Sequence, residues 1–129
     1  MDMKLELVPI PVTDVDRAKA FYAERLGFAV DVDVRPADGV RVVQLTPPGS
    51  ACSIGLGTGI PVYEAPPGSV RGLHLVVNDI EKARAELVGR GVDVGALQDL
   101  GGVRYAAFED PDGNGLTLQQ MSWRTGDAF

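Results

Sequence analysis

The chain has 129 residues and a formal net charge of −6, enough length for one domain with a buried core. The acidic balance argues against a nucleic-acid groove or a polybasic membrane face. No run approaches the ~18 consecutive apolar residues of a membrane helix. The start Met1-Asp2-Met3-Lys4 leads into no signal-like apolar stretch, so a cytoplasmic location is expected. The lone Cys52 has no internal disulfide partner, in keeping with a reducing compartment.

In chain order, the first element is an alternating strand in which Val8, Ile10 and Val12 face one way and Leu7, Pro9 and Pro11 the other. Asp14 follows at a helix N-cap, where a carboxylate accepts backbone N–H bonds and meets the positive end of the dipole. Behind it Val15, Ala18 and Tyr22 recur at helical spacing, and Gly27 ends the helix. Strands are expected over 29–34, 40–45 and 52–56, with the turn Thr46-Pro47-Pro48-Gly49-Ser50 before the last. Residues 58–70, rich in Gly and Pro, read as a connector.

The pattern then returns. Val12-Thr13-Asp14-Val15-Asp16-Arg17-Ala18-Lys19-Ala20 lies over Val77-Asn78-Asp79-Ile80-Glu81-Lys82-Ala83-Arg84-Ala85. A strand bearing Leu73, Leu75 and Val77 precedes the cap Asp79; Ile80, Ala83 and Leu87 form the helix stripe, and Gly91 ends it. Further strands are expected over 92–96, 104–108 and 116–121, with the turn Asp110-Pro111-Asp112-Gly113 before the last. Each half therefore reads β-α-β-β-β. The domain is taken as 1–129, with module one about 1–60, the connector about 58–70 and module two about 71–123. One helix cannot cover both faces of four strands, so the halves are expected to pack together.

Alternation sorts the strand residues into two faces. The uniformly apolar rows, including Cys52, Ile54, Leu56, Leu116 and Leu118, belong under the helices. The mixed rows suit a concave, ligand-facing side: Leu7, Pro9, Gln44, Ser53, Gly55, Gly72, His74, Tyr105, Ala107, Thr117 and Gln119. Gly55, Gly57 and Gly72 leave space there for a bulky or flat guest, or only ease strand curvature. Tyr63 and Trp123, on the connector and the tail, are candidates to close the cavity mouth or seal a dimer contact.

Residues 12–22, the run Leu26-Gly27-Phe28 and the run Phe108-Glu109-Asp110-Pro111-Asp112-Gly113-Asn114 resemble the vicinal oxygen chelate superfamily. That superfamily holds glyoxalase I, extradiol dioxygenases, and bleomycin- and fosfomycin-resistance proteins. The resemblance spans essentially the whole chain. It implies an α+β fold of two βαβββ modules forming a curved mixed sheet around a concave cavity, and a homodimer. It does not name an activity, because these residues are caps, core and turns. In metal-dependent members, His, Glu or Gln ligands stand on the first and last strands of each half. The matching positions here are Leu7, Gly72, Gly55 and Thr117. Leu and Gly offer no donor atom and a neutral Thr hydroxyl is a poor ligand, whereas such a site needs about three protein ligands. No metal and no cofactor are therefore expected.

His74 is the only histidine and lies two residues past an emptied ligand position. Its ordinary pKa suits acid–base work, and it serves equally as a ligand contact. Two readings follow. The one needing fewest assumptions is a metal-independent protein that binds a small aromatic or partly cationic organic molecule, as in drug sequestration or resistance. The alternative is a metal-free isomerase, lyase or cyclase with His74 as general acid/base and Tyr105 or Gln119 orienting the substrate. A glyoxalase- or dioxygenase-type metalloenzyme ranks third.

Overall fold

The structure, a computed structural model, describes every residue from Met1 to Phe129. Two compact units divide the chain, one of Met1–Val70 with Pro111–Asn114, the other of Arg71–Asp110 with Gly115–Phe129. The first holds β1 (Leu7–Pro9), α1 (Val15–Ala20), β2 (Ala29–Ala37), β3 (Val40–Thr46) and β4 (Ser53–Thr58). The second holds β5 (Leu73–Val76), α2 (Ile80–Gly89), β6 (Gln98–Leu100), β7 (Val103–Glu109) and β8 (Gly115–Met121). Both sheets have the same pattern, β1-β4-β3-β2 and β5-β8-β7-β6. In each, the first strand runs parallel to the last and the other pairings are antiparallel. Two four-stranded mixed sheets with few helices make this an α+β fold.

The helices start where the carboxylates dictate. Asp14 accepts from the Arg17 N–H at 3.1 Å and Asp79 from the Lys82 N–H at 3.1 Å, one cap per unit. α1 runs on into a π-helical turn, Phe21–Arg25, and Gly27 (φ 77°) follows it. The left-handed backbone is open to glycine without the Cβ clash of other residues.

In the first unit, Ala18 and Tyr22 are buried with Ile10, Val43, Leu45, Ile54 and Leu56, the row of the sheet that faces the helix. In the second, Ile80 and Leu87 are buried with Ala106, Phe108, Leu116 and Leu118. Period two thus buries Ile10, Ile54, Leu56, Leu116 and Leu118 as their apolar rows predict, whereas Val8, Val12, Cys52, Leu73, Leu75 and Val77 of the same rows are only half-buried.

Two expected strands differ. β1 stops at Pro9 rather than running to Val12. Ile10 still donates to the Gly55 carbonyl at 2.8 Å, but Pro11 has no N–H to give, and its carbonyl accepts from Asn114 Nδ2 at 2.9 Å. The strand expected over 92–96 is irregular, and the paired segment is Gln98–Leu100. Val92 and Val94 are buried as a strand's alternate residues would be. However, the Arg84 guanidinium takes the carbonyls of Gly95 (2.7 Å) and Val94 (2.9 Å), which a ladder would otherwise use.

The turn Pro111–Asn114 belongs to the first unit although it links β7 to β8. Asp112 Oδ1 accepts from the Thr13 hydroxyl at 2.7 Å and from Arg17 Nη2 at 3.1 Å. The acidic turn therefore serves to fasten the chain at the start of α1.

Candidate functional site

Each sheet buries one face under its helix; the opposite, more open face is half-exposed on β3 and β8 but covered along β4. On the first unit's open face, register places Leu7 beside Ser53, Pro9 beside Gly55, Gln44 beside Gly55, and Val32 beside Gln44. Five of the eleven expected residues, Leu7, Pro9, Gln44, Ser53 and Gly55, therefore share this surface. Its polar part is continuous. Gln44 Nε2 donates to Ser53 Oγ at 3.1 Å and to Glu6 Oε2 at 3.0 Å. Ser53 Oγ lies 2.7 Å from Thr46 Oγ1, and Thr46 donates to the Asp31 carboxylate.

The space over the glycines of β4 is filled. A Cβ on Gly55 would stand 2.3 Å from Leu7 Cδ1 and 3.0 Å from the Tyr63 hydroxyl; one on Gly57 would stand 2.7 Å from the Tyr63 ring. Tyr63 ends the short 3-10 turn Pro61–Tyr63 of the connector, and its ring bridges the two glycines. The room expected for a guest at Gly55 and Gly57 thus belongs to an aromatic side chain of the protein itself. Burial pushes the Tyr63 phenol above its ordinary pKa, so the hydroxyl keeps its proton through the neutral range.

On the second unit's open face, His74, Thr117 and Ala107 form one cross-strand row, and Val76, Gln119, Tyr105 and Gln98 the next. His74 is exposed, with Nδ1 bonded to the Gly72 carbonyl. A carbonyl only accepts, so Nδ1 carries the proton of the neutral ring and Nε2 keeps its lone pair. Gly72 departs from expectation: it lies outside β5, in the left-handed region at φ 70°. Glycine at this position serves the entry turn, and a Cβ would stand 3.5 Å from the His74 ring. Trp123 is exposed on the tail, 3.7 Å from the position of a Cβ on Gly102.

The positions that the superfamily uses for metal ligands do not suit a metal here. Leu7 projects a methyl over Gly55, Gly72 has no side chain, and Thr117 offers one neutral hydroxyl. Nowhere do three or more His, Cys, Asp or Glu side chains form a group able to hold one.

Alternation foretold that Leu7, Pro9, Gln44, Ser53 and Gly55 share one side of their sheet, but not that Gly72 lies outside β5. It could not foretell Tyr63 over the glycines, because an irregular connector has no period to follow. Thr46 was legible as an alternate of Gln44. Glu6 was not, since it precedes β1 and its bond to Gln44 depends on side-chain reach.

The chain matches the family model of the Glyoxalase/Bleomycin resistance protein/Dioxygenase superfamily over residues 4–118. Among solved structures it is similar to TnmS3, an antibiotic binding protein from Streptomyces sp. CB03234, at 38% identity and TM-score 0.83. That match covers 94% of this chain and 98% of the other. A glyoxalase/bleomycin resistance protein from the same organism is also 38% identical, with 91% and 100% covered and a TM-score of 0.77. A superfamily member from Sphaerobacter thermophilus DSM 20745 is 32% identical, with 92% and 98% covered and a TM-score of 0.80. A search of curated proteins finds none that matches. On the family model and these structures, the chain belongs to the glyoxalase/bleomycin resistance protein/dioxygenase superfamily.

Proposed function

We propose that this protein binds and sequesters a small organic molecule, aromatic or partly cationic, on the open faces of its sheets and without a metal. The observation that carries the reading is Leu7 lying over Gly55. Two positions that hold metal ligands in catalytic relatives are here an apolar side chain resting on a glycine. The first unit's face sets the Tyr63 ring and the Gln44 amide beside these apolar contacts, and the second unit's own face carries Tyr105, Thr117 and Gln119. Each has the mixed apolar and neutral polar composition of a small-molecule site. Similarity to an antibiotic binding protein at 38% identity supports the same reading.

Isothermal titration of the purified protein with bleomycin and with daunorubicin, a planar aromatic ring system carrying a cationic amino sugar, tests it. Saturable binding of at least one, near one per chain, is expected. Absence of binding by both, or loss of binding when bound divalent metal is removed, would contradict it.

A second reading rests on His74. With Nδ1–H donated to the Gly72 carbonyl, the ring presents Nε2 as an exposed base beside Thr117. A metal-free isomerase, lyase or cyclase would use that atom to move a proton. On this reading, His74→Ala abolishes turnover of a bound compound while its affinity persists.

A further inference from the structure

We infer that Gln44 determines specificity on the first unit's open face, by selecting a guest that presents a hydroxyl or N–H donor. The inference rests on the small-molecule reading above. The direction of the Gln44 amide follows from what holds it. An ionised carboxylate only accepts, so the atom 3.0 Å from Glu6 Oε2 must be the NH2 group. The second amide proton goes to Ser53 Oγ at 3.1 Å.

The rest of the chain enforces that choice. Thr46 gives its only hydroxyl proton to the Asp31 carboxylate, so across the 2.7 Å contact Ser53 donates to Thr46. Ser53 Oγ is then left with lone pairs toward Gln44, as an acceptor. The bonds run in one direction, out of the amide, with a carboxylate at each end. Turning the amide over would set Oε1 against the Glu6 carboxylate and against an oxygen whose proton is already committed. Ser53 is only 5% exposed, so water cannot readily replace the lost bond.

Both amide protons are therefore occupied, and Oε1 is the polar atom this side chain has left to offer. Gly55, the cross-strand partner of Gln44, lies under the Tyr63 phenol. A hydroxyl can donate or accept, so Tyr63 adapts to the guest, whereas Gln44 does not. The class selected is a flat molecule whose ring lies by Tyr63 and whose O–H or N–H points at Gln44. Glu6 acts through Gln44 as a positioning residue.

A matched pair of probes tests this: 2-naphthol, and 2-methoxynaphthalene, which has the same rings and oxygen without the proton. Their affinities are measured by isothermal titration for the wild type and for Gln44→Leu, Glu6→Gln and Glu6→Asp, each checked for folding by circular dichroism. The wild type should prefer 2-naphthol by roughly tenfold, the worth of one hydrogen bond against an acceptor otherwise left unmet. Gln44→Leu should bring the ratio to about one. Glu6→Gln, whose amide can accept or donate, should remove one of the two groups that hold the Gln44 amide while Ser53 keeps the other, and reduce the preference to about threefold. Glu6→Asp should retain most of it. Equal binding of both probes by the wild type, or a preference surviving in Gln44→Leu, overturns the inference and leaves the small-molecule reading standing. Failure of every protein to bind either probe overturns both.

Discussion

Gly55 and Gly57 point to the same face of β4, yet their surroundings predict different costs for a methyl group. At Gly55 the atoms in the way are Leu7 Cδ1 and the Tyr63 phenol, the ends of side chains that can turn aside. At Gly57 the Arg41 carbonyl would stand 2.5 Å from the new carbon, and a backbone carbonyl in a strand has nowhere to go. Gly57→Ala should therefore destabilise the protein by about 2 kcal/mol, and Gly55→Ala by less than about 1 kcal/mol. Urea denaturation of the two variants checks this; equal costs would show that the glycine track is not packed as described. At this scale the strand positions were legible, because period two sends Leu7, Pro9, Ser53, Gly55 and Gln44 to one face. What covers those glycines was not, because Tyr63 reaches them from a loop.

Among the elements, the two helix starts give a paired prediction. Asp14 and Asp79 cap with the same geometry, so Asp14→Ala and Asp79→Ala should each cost about 1 kcal/mol in chemical denaturation. The far end of the helix-facing row in the first unit carries charge instead of apolar packing. Arg41, 9% exposed, forks onto Asp33 with two bonds of 3.0 Å and reaches Asp16 on α1 at 2.6 Å, while Lys19 meets Asp33 at 2.7 Å. The Arg41 guanidinium first, and the Lys19 ammonium after it, hold the Asp33 carboxyl well below the usual carboxylate range.

A folded-state pKa below the unfolded value means stability that is present above about pH 4 and lost as pH falls from there. Asp33→Asn should then cost about 1 kcal/mol at pH 7, with the gap to wild type closing progressively below about pH 4. Thermal melts between pH 7 and pH 2 measure it; a pH-independent gap would contradict the ion-pair account. Capped helices and alternating strands were legible because their periods and end residues are local. The segment 92–96 misled for the same reason. Its valines alternate as a strand's do, but the Arg84 side chain that claims its carbonyls comes from α2, ten or so residues earlier.

For the whole molecule, one architecture occurs twice and carries two different open faces. The repeat of caps, core rows and strand order made the fold and the superfamily readable from the sequence, because those features answer to backbone geometry and burial. The use of the faces answers to side chains that differ between the units. One has Tyr63 over a glycine track and an amide held by Glu6 and Ser53; the other has His74 tied to Gly72, with Tyr105 and Gln119 in the neighbouring row. Neither face supplies a group of three or more His, Cys, Asp or Glu side chains, and the proposed sequestration rests on that difference from the metal-dependent chemistry the same fold supports elsewhere. The most direct test is calorimetric titration of daunorubicin into protein dialysed against EDTA, repeated after stoichiometric Zn(II) or Ni(II) is restored. The account predicts saturable binding with the same affinity in all three conditions and an unaltered compound recovered at the end. Binding or conversion that appears only with the metal would contradict it.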